Sequence, residues 1–239
     1  INAGKGDDEI TGGKGADIIT GGEGDDIITG GSGADTINVD KGTDTISDLG
    51  GTSGGESDIL VVSKDAIAKA TVKVSFTATS DTKNDAANAV DKAIISTDAD
   101  GATIDMSSAV GVYTLTGGDG VDKLTGSAGA DTINAGKGDD EITIAAAGKG
   151  DTDVMDGGDG TGDVLKLSTG KHTFADDTKF KNIEKIETDA SGSEVVLTAQ
   201  KEALEITGGD GVDKITGGEG VDTINAGKGD DEITIAAAG

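Results

Sequence analysis

The sequence predicts an all-β fold, a right-handed parallel β-solenoid, and three features of the chain support this prediction. Aspartates recur every nine residues near the start of the chain, and the same spacing returns in two later arrays. An aliphatic residue follows most of these aspartates two places later, as in GGKGADIIT at 12–20. Between the arrays lie alternating runs such as DILVVS (58–63) and TVKVSFTAT (71–79), which are typical of strands. A short fixed period of this kind is typical of stacked coils.

The repeating unit is Gly-Gly-x-Gly-x-Asp-x-aliphatic-x, written out most fully at 12–20, 21–29 and 30–38. Each unit offers one reliable apolar side chain, whose burial contributes roughly 1.5–3 kcal/mol. Fixing the backbone costs about 1–2 kcal/mol for each residue, and glycine loses the most conformational freedom. Because a unit cannot close on its own core, the coil needs a further source of stability.

The spacing of the carboxylates indicates what that source is. If two units make one coil, Asp8 stacks over Asp26 and Asp17 stacks over Asp35. Two carboxylates about 5 Å apart repel by roughly 3 kcal/mol at an effective dielectric constant of about 20. A cation between the two carboxylates turns this repulsion into a net attraction. Calcium suits the site because it takes many oxygen ligands in irregular geometry. The alternative, an acidic glycine-rich linker, gives no reason for a nine-residue register.

Composition excludes several classes of function. The chain of 239 residues has 46 acidic and 19 basic residues and a formal net charge of −27. All the basic residues are lysine, which disfavours nucleic acid as a partner. Cysteine is absent, so neither a disulfide framework nor a thiolate metal site can form. No apolar run is long enough to insert into a membrane.

The arrays alternate with stretches that break the nine-residue period. The sequence predicts repeat blocks at 1–47, 116–166 and 207–239, separated by irregular coils at 48–115 and 167–206. We expect one continuous solenoid, with separate inserted β-sandwich domains as the alternative. Helical spacing of apolar residues predicts a short helix over 84–94. Because the chain opens and closes inside a repeat, it is expected to be a fragment of a longer array.

No catalytic constellation emerges from the sequence, which predicts that the chain is not an enzyme. The string GTSGG at 51–55 contains Ser53 but lies in a Gly/Ser loop, where a nucleophile elbow does not form. The single histidine, His172, is expected to be solvated on a surface turn. Acid pairs such as Asp7–Asp8 and Asp25–Asp26 could suggest acid catalysis. The register instead predicts that the second acid of each pair binds metal and the first is a solvated charge.

The arrays resemble the RTX nonapeptide repeats, and their alternation with strands such as NIEKIETD (182–189) resembles RTX-type surface-layer proteins of Gram-negative bacteria. The resemblance implies a β-roll in which each repeat aspartate binds calcium and carbonyls of stacked turns complete the shell. Asp44 lies in a degenerate unit, and one extra residue precedes both Asp153 and Asp163. The predicted metal ligands are Asp8, Asp17, Asp26, Asp35, Asp44, Asp122, Asp131, Asp140, Asp153, Asp163, Asp213, Asp222 and Asp231.

The resemblance implies a calcium-dependent structural protein of the bacterial cell surface, a segment of a self-assembling surface-layer lattice. Its expected partners are calcium ions and copies of itself, and its expected location is extracellular after export by a type I route. Two alternatives stay open at this point. The segment could be the stalk of an RTX adhesin, or it could be the secretion and folding module of an exported RTX enzyme or toxin.

Overall fold

The structure, a computed structural model, describes residues 1–50, 57–85, 93–98, 100–144 and 152–235. These residues form β-strands joined by glycine-rich turns, together with one 3-10 turn. Every strand pair among them is parallel. The predicted all-β parallel solenoid is therefore confirmed. None of the described residues belongs to a helix that is long and apolar enough to cross a membrane.

The strands fall into five groups along the chain. The first array forms β1 Asn2–Lys5, β2 Glu9–Lys14, β3 Ile18–Glu23, β4 Ile27–Ser32 and β5 Thr36–Ile46. The following stretch forms β6 Ile59–Val72, β7 Ser75–Thr77, β8 Lys83–Asn84, β9 Ala93–Thr97 and β10 Thr103–Asp105. The second array forms β11 Thr114–Thr116, β12 Lys123–Thr125, β13 Thr132–Asn134, β14 Glu141–Ile144, β15 Val154–Asp156 and β16 Val164–Leu167. Next come β17 Gly170–Thr173, the 3-10 turn Asp177–Lys179, β18 Phe180–Lys181, β19 Lys185–Thr188 and β20 Ser193–Val196. The last array forms β21 Glu205–Thr207, β22 Lys214–Thr216, β23 Thr223–Asn225 and β24 Glu232–Thr234.

The strands pair in three sheets. One has the order β1-β3-β5-β6-β9-β11-β13-β15-β18, with β2, β4 and β8 paired alongside this path. The second has the order β23-β21-β19-β16-β14-β12-β10-β7, and the third β17-β20-β22-β24. Strands of the irregular stretches pair directly with strands of the arrays, as β10 does with β12 and β19 with β21.

Two nonapeptides make one coil in the first array. Ile10 pairs with Ile28, and the hydrogen bond between the turns joins residues 18 apart. This confirms the winding that the sequence predicts. The register lengthens at the next coil, where Ile37 pairs with Leu60 and the corresponding bond joins residues 23 apart. Because β5 still pairs with β6, the sheet continues across this longer coil.

One aliphatic side chain of each unit lies in the core, as expected, except at the end of the last array, where Ile224 is partly buried and Ile233 is 47% exposed. Its stack begins at Ile10, Ile19, Ile28, Ile37 and Ile46, all of them buried. The residue before it points outward, so Ile18 is 68% exposed and Ile27 is 50% exposed. This alternation is the period-two geometry of a strand. Large buried aromatic side chains belong to the irregular coils and their flanks, namely Phe76, Tyr113, Phe174 and Phe180.

Two local expectations differ from what the structure describes. The predicted helix over 84–94 begins at a residue of β8 and ends inside β9, while residues 86–92 lie outside the described residues. In β9, Ala93 and Ile95 are buried while Ile94 is only partly buried, which is strand alternation. His172 is fully buried in β17 and not solvated. Its Nε2 lies 2.8 Å from the Ser168 carbonyl oxygen, and burial lowers the pKa of the imidazole.

Candidate calcium sites

Asp8, Asp26 and Asp44, which we call the first row, lie one above another on successive coils. The backbone N–H of Asp8 donates to Oδ1 of Asp26 at 2.9 Å. The N–H of Asp26 in turn donates to Oδ1 of Asp44 at 3.1 Å. One oxygen of Asp26 and one of Asp44 therefore hold the preceding coil in register, and the other oxygen of each remains for a different partner.

Asp17, Asp35 and Asp58 form the second row in the same way. The N–H of Asp17 donates to Asp35 at 2.8 Å, and the N–H of Asp35 donates to Asp58 at 2.9 Å. Asp58 is absent from the sequence-based prediction because it lies in a stretch without the nine-residue period. The signal that could have found it is the order Asp58-Ile59-Leu60, which repeats the aspartate-x-aliphatic core of the unit.

The third row consists of Asp122, Asp140, Asp163 and Glu184. Successive backbone N–H groups donate to the next carboxylate at 2.7 Å, 2.7 Å and 3.0 Å. The extra residue before Asp163 does not remove it from the row. Glu184 takes the place of an aspartate at the last position. The sequence-based prediction missed it, although Glu184-Lys185-Ile186 has the acid-x-aliphatic order.

The other predicted aspartates occupy shorter rows. The N–H of Asp131 donates to Oδ1 of Asp153 at 2.9 Å. The N–H of Asp213 donates to Oδ1 of Asp231 at 3.0 Å. Asp222 accepts the N–H of Leu204 at 3.2 Å. All thirteen predicted aspartates thus lie in the described part of the chain. They are distributed over several rows and do not form one cluster.

The second carboxylate oxygen is the unusual feature of these rows. It is buried and has no hydrogen-bond partner in Asp8, Asp17, Asp26, Asp44, Asp140 and Asp163. A buried carboxylate oxygen without a partner loses its hydration and gains nothing in exchange. Hard oxygen ligands of this kind suit calcium. Because no three His, Cys, Asp or Glu side chains converge among the described residues, backbone carbonyls would have to supply further ligands.

Glycine keeps the space beside these carboxylates open. A Cβ added at Gly21 would collide with Oδ2 of Asp26, and one at Gly30 would meet Oδ2 of Asp35. Glycines at the next position bring the backbones of successive turns together, so that a Cβ at Gly22 would collide with the carbonyl oxygen of Gly4. The turns therefore combine open space, buried carboxylate oxygens and stacked carbonyls. This arrangement fits a bound calcium ion.

Gly22→Ala should destabilise the calcium-loaded protein more than Gly13→Ala. Both glycines have positive φ, +111° and +113°, so both alanines carry the left-handed backbone strain of about 1–2 kcal/mol. Only Gly22 lies against the preceding turn, because a Cβ at Gly13 has nothing within 4 Å. Overpacking adds roughly 1–3 kcal/mol for Gly22→Ala. Denaturant unfolding in saturating calcium measures the difference, and equal losses would show that the turns are not stacked this closely.

Burial changes the acidity of the row carboxylates. It raises the pKa of Asp44 to about 6 and the pKa of Asp140 to about 6. Burial also raises the pKa of Asp58 and of Asp163. In Asp44 the hydrogen bond from Asp26 opposes the shift, and the negative charge of Asp26 adds to it. Without a cation, these carboxylates are therefore poorly tolerated as anions at neutral pH.

Acid should partly replace calcium in stabilising the metal-free fold. A carboxylate whose folded pKa is raised stabilises the fold fully below its unfolded pKa, which is 3.8, and loses this contribution as the pH rises through about 6. In excess chelator, far-UV circular dichroism should therefore show more β-structure near pH 5 than near pH 7. In calcium the trend should reverse, because protons compete for the same oxygens. Less β-structure at the lower pH in chelator would contradict the assignment.

The first acid of three pairs has a second role besides that of an exposed charge. Asp7 and Asp25 are exposed, as expected, but their carboxylates also hold the next coil. Asp7 accepts the N–H of Asp25 at 2.9 Å, and Asp25 accepts the N–H of Thr43 at 2.8 Å. Asp139 accepts the N–H of Thr161 at 3.1 Å. These acids are therefore exposed charges that also accept a hydrogen bond from the next coil, a contact that the sequence did not indicate.

The structure describes only one member of the serine–histidine pair that the sequence analysis considered. Ser53 lies outside the described residues. The buried side chain of His172 has its Nε2 engaged by the Ser168 carbonyl oxygen. His172 is therefore enclosed within the described part of the solenoid.

Comparison with known proteins identifies the repeat. The family described as the RTX calcium-binding nonapeptide repeat matches the chain in four copies, at residues 1–28, 11–46, 114–143 and 205–234. Together these matches cover less than half of the chain. No curated protein and no solved structure matches significantly. The chain carries RTX repeats, as the sequence-based resemblance predicted, and RTX nonapeptide repeats bind calcium.

Proposed function

We propose that this chain is a calcium-stiffened structural segment whose ions lie in the carboxylate rows. The observation that carries the proposal is the set of six buried Oδ2 atoms without partners among the described residues, all of them on aspartates of the three rows. A calcium ion beside each of these oxygens would neutralise the carboxylates of the row, and turn carbonyls would complete its coordination shell. The proposed ligands are Asp8, Asp17, Asp26, Asp35, Asp44, Asp122, Asp140, Asp153, Asp163, Asp213, Asp222 and Asp231.

Asp131, the remaining predicted ligand, has the same place in its repeat. It is left out of this set because its Oδ2 accepts the N–H of Ser127 at 2.6 Å and also has the Ser127 hydroxyl 2.9 Å away. The missed acids Asp58 and Glu184 extend the second and third rows. They are therefore proposed to take part in the same sites.

The proposed division of the chain is the one that the sequence predicts, with repeat blocks at 1–47, 116–166 and 207–239 joined by irregular coils. The direct pairing of array strands with the intervening strands supports one continuous solenoid. RTX β-rolls are typically structural. We therefore assign the segment a mechanical role.

The charge balance supports self-assembly through calcium. The formal net charge is −27. Several exposed lysines form ion pairs with acidic residues on a neighbouring coil of the same chain. Glu23, for example, lies 3.2 Å from Lys5 and 3.9 Å from Lys41. Each exposed ion pair contributes little stability, but it occupies a lysine whose charge could otherwise balance the acidic surface of another molecule. Two acidic faces can then approach only with divalent cations between them.

On this basis we propose that the protein is a segment of a surface-layer lattice on a bacterial cell, exported by a type I route. Electron microscopy of the purified protein at millimolar calcium should show ordered two-dimensional arrays that disperse when a chelator is added. A folded, calcium-loaded protein that stays monomeric at high concentration would contradict the lattice. Hydrolase activity in that monomer would favour a secretion and folding module, and its absence an adhesin stalk.

A further inference from the structure

Four turns satisfy their aspartate from within the chain. In each, the residue four places before the aspartate donates its backbone N–H to Oδ2 of that aspartate. The donor–acceptor pairs are Gly118–Asp122 at 2.8 Å, Ser127–Asp131 at 2.6 Å, Gly209–Asp213 at 3.0 Å and Gly218–Asp222 at 2.9 Å. The corresponding oxygens of Asp8, Asp17 and Asp26 have no partner. The four turns are therefore closed by a hydrogen bond at the oxygen that is left open elsewhere.

One of these four turns has a side chain in the space beside its carboxylate. The donor is glycine in the other three, whereas the turn at 126–131 has Ser127, which is only 4% exposed. Ser127 Oγ lies 2.9 Å from Oδ2 and 3.1 Å from Oδ1 of Asp131. It also lies 3.0 Å from the carbonyl oxygen of Gly111 and accepts the N–H of Gly129 at 2.9 Å. The hydroxyl thus sits between a row carboxylate and a backbone carbonyl of the preceding coil.

The carboxylate and carbonyl oxygens among these contacts are ligands that a calcium ion would also take, whereas the N–H of Gly129 is satisfied only by the hydroxyl. The hydroxyl has a single proton, so it serves one of its three acceptors at a time, and its oxygen is satisfied by Gly129. Oδ1 of Asp131 also accepts the N–H of Tyr113 at 2.8 Å. A calcium ion would have to displace both the hydroxyl and the N–H of Ser127 before it reached the carboxylate. The turn therefore has its polar groups satisfied without metal.

We propose that Ser127 keeps the turn at 126–131 free of calcium by placing its hydroxyl where the ion lies in other turns. This inference rests on the proposed calcium rows and adds a residue that selects between a metal-bound and a metal-free turn. The turn at 126–131 would then keep its structure through its own hydrogen bonds at calcium concentrations too low to fill the neighbouring sites.

Ser127→Gly tests the proposal by counting ions. Equilibrium dialysis at saturating calcium should give one more bound calcium per chain for Ser127→Gly than for the unmodified protein. Ser32→Gly is the matched control, because Ser32 is an exposed serine at the end of β4 in the first array and should leave the count unchanged. An unchanged count for Ser127→Gly would overturn the inference. If the unmodified protein bound no calcium, the proposed function itself would fail, so the two failures are distinguishable.

Ser127→Ala keeps the proposal testable if the glycine variant does not fold. The alanine removes the acceptor of the Gly129 N–H and keeps the β-carbon and the backbone N–H of residue 127. Hydrogen exchange in the calcium-loaded protein should show faster exchange at the Gly129 amide in Ser127→Ala than in the unmodified protein. The Gly138 amide, which donates to the Asp159 carbonyl oxygen, should exchange at an unchanged rate. Equal protection of Gly129 in both proteins would show that the hydroxyl does not hold the turn.

Discussion

Removal of calcium is expected to convert the far-UV circular dichroism of this protein from a β spectrum to a largely disordered one, and restored calcium should reverse the change. The reason lies in the six buried Oδ2 atoms, because each unsatisfied buried polar group costs about 1–3 kcal/mol. Their sum is comparable with the total stability of a typical domain, about 5–15 kcal/mol. The formal net charge of −27 adds repulsion along the whole chain.

Magnesium provides the control for this experiment. It prefers a small octahedral shell and dehydrates reluctantly, so it should restore the β spectrum poorly at the same concentration. Equal rescue by both ions would indicate charge screening and not a built site. A β spectrum that persisted in excess chelator would contradict the coupling between calcium and folding.

Asp26→Ala is expected to remove more bound calcium than Asp122→Ala. Asp26 lies between Asp8 and Asp44, accepts the N–H of one and donates to the other, and its Oδ2 has no partner. It therefore serves the sites on both sides of its turn.

Asp122 is placed differently. Its Oδ1 accepts the N–H of Ala102 at 2.6 Å, so no carboxylate precedes it in the third row. Its Oδ2 already accepts the N–H of Gly118 at 2.8 Å. Calorimetric titration of both variants measures the loss, and Asp25→Ala is the control for removing an exposed charge from the same turn as Asp26. Equal stoichiometric losses for Asp26→Ala and Asp122→Ala would argue against this arrangement of the rows.

The nine-residue period was sufficient to predict the solenoid, the first row and the Asp17–Asp35 part of the second row. With two units per coil, the period alone places Asp8 beside Asp26 and Asp17 beside Asp35, and no tertiary information is needed. The prediction weakens where coil length varies. Asp58 follows Asp35 by 23 residues, and the extra residues hide a register that only the paired strands reveal. Glu184 was missed for a related reason, since it replaces the aspartate of the motif.

Other features depend on contacts between coils that are distant in sequence. His172 pairs with Val195 on the next coil, so the residues next to the histidine in the sequence do not indicate that it is buried. The apolar spacing around Ala93 fits either a helix or a strand, because a short run cannot distinguish the two periods. Ser127 carries a visible signal, a serine where neighbouring units have glycine. Its consequence appears only when the hydroxyl is placed beside Asp131.

The central claim, that calcium lies beside the open carboxylate oxygens of the rows, is tested most directly by anomalous diffraction from crystals of the calcium-loaded protein. We predict anomalous peaks within coordination distance of Oδ2 of Asp26, Asp44 and Asp140, and no peak beside Asp131. Calcium-loaded crystals in which these three oxygens have no ion beside them would contradict the account.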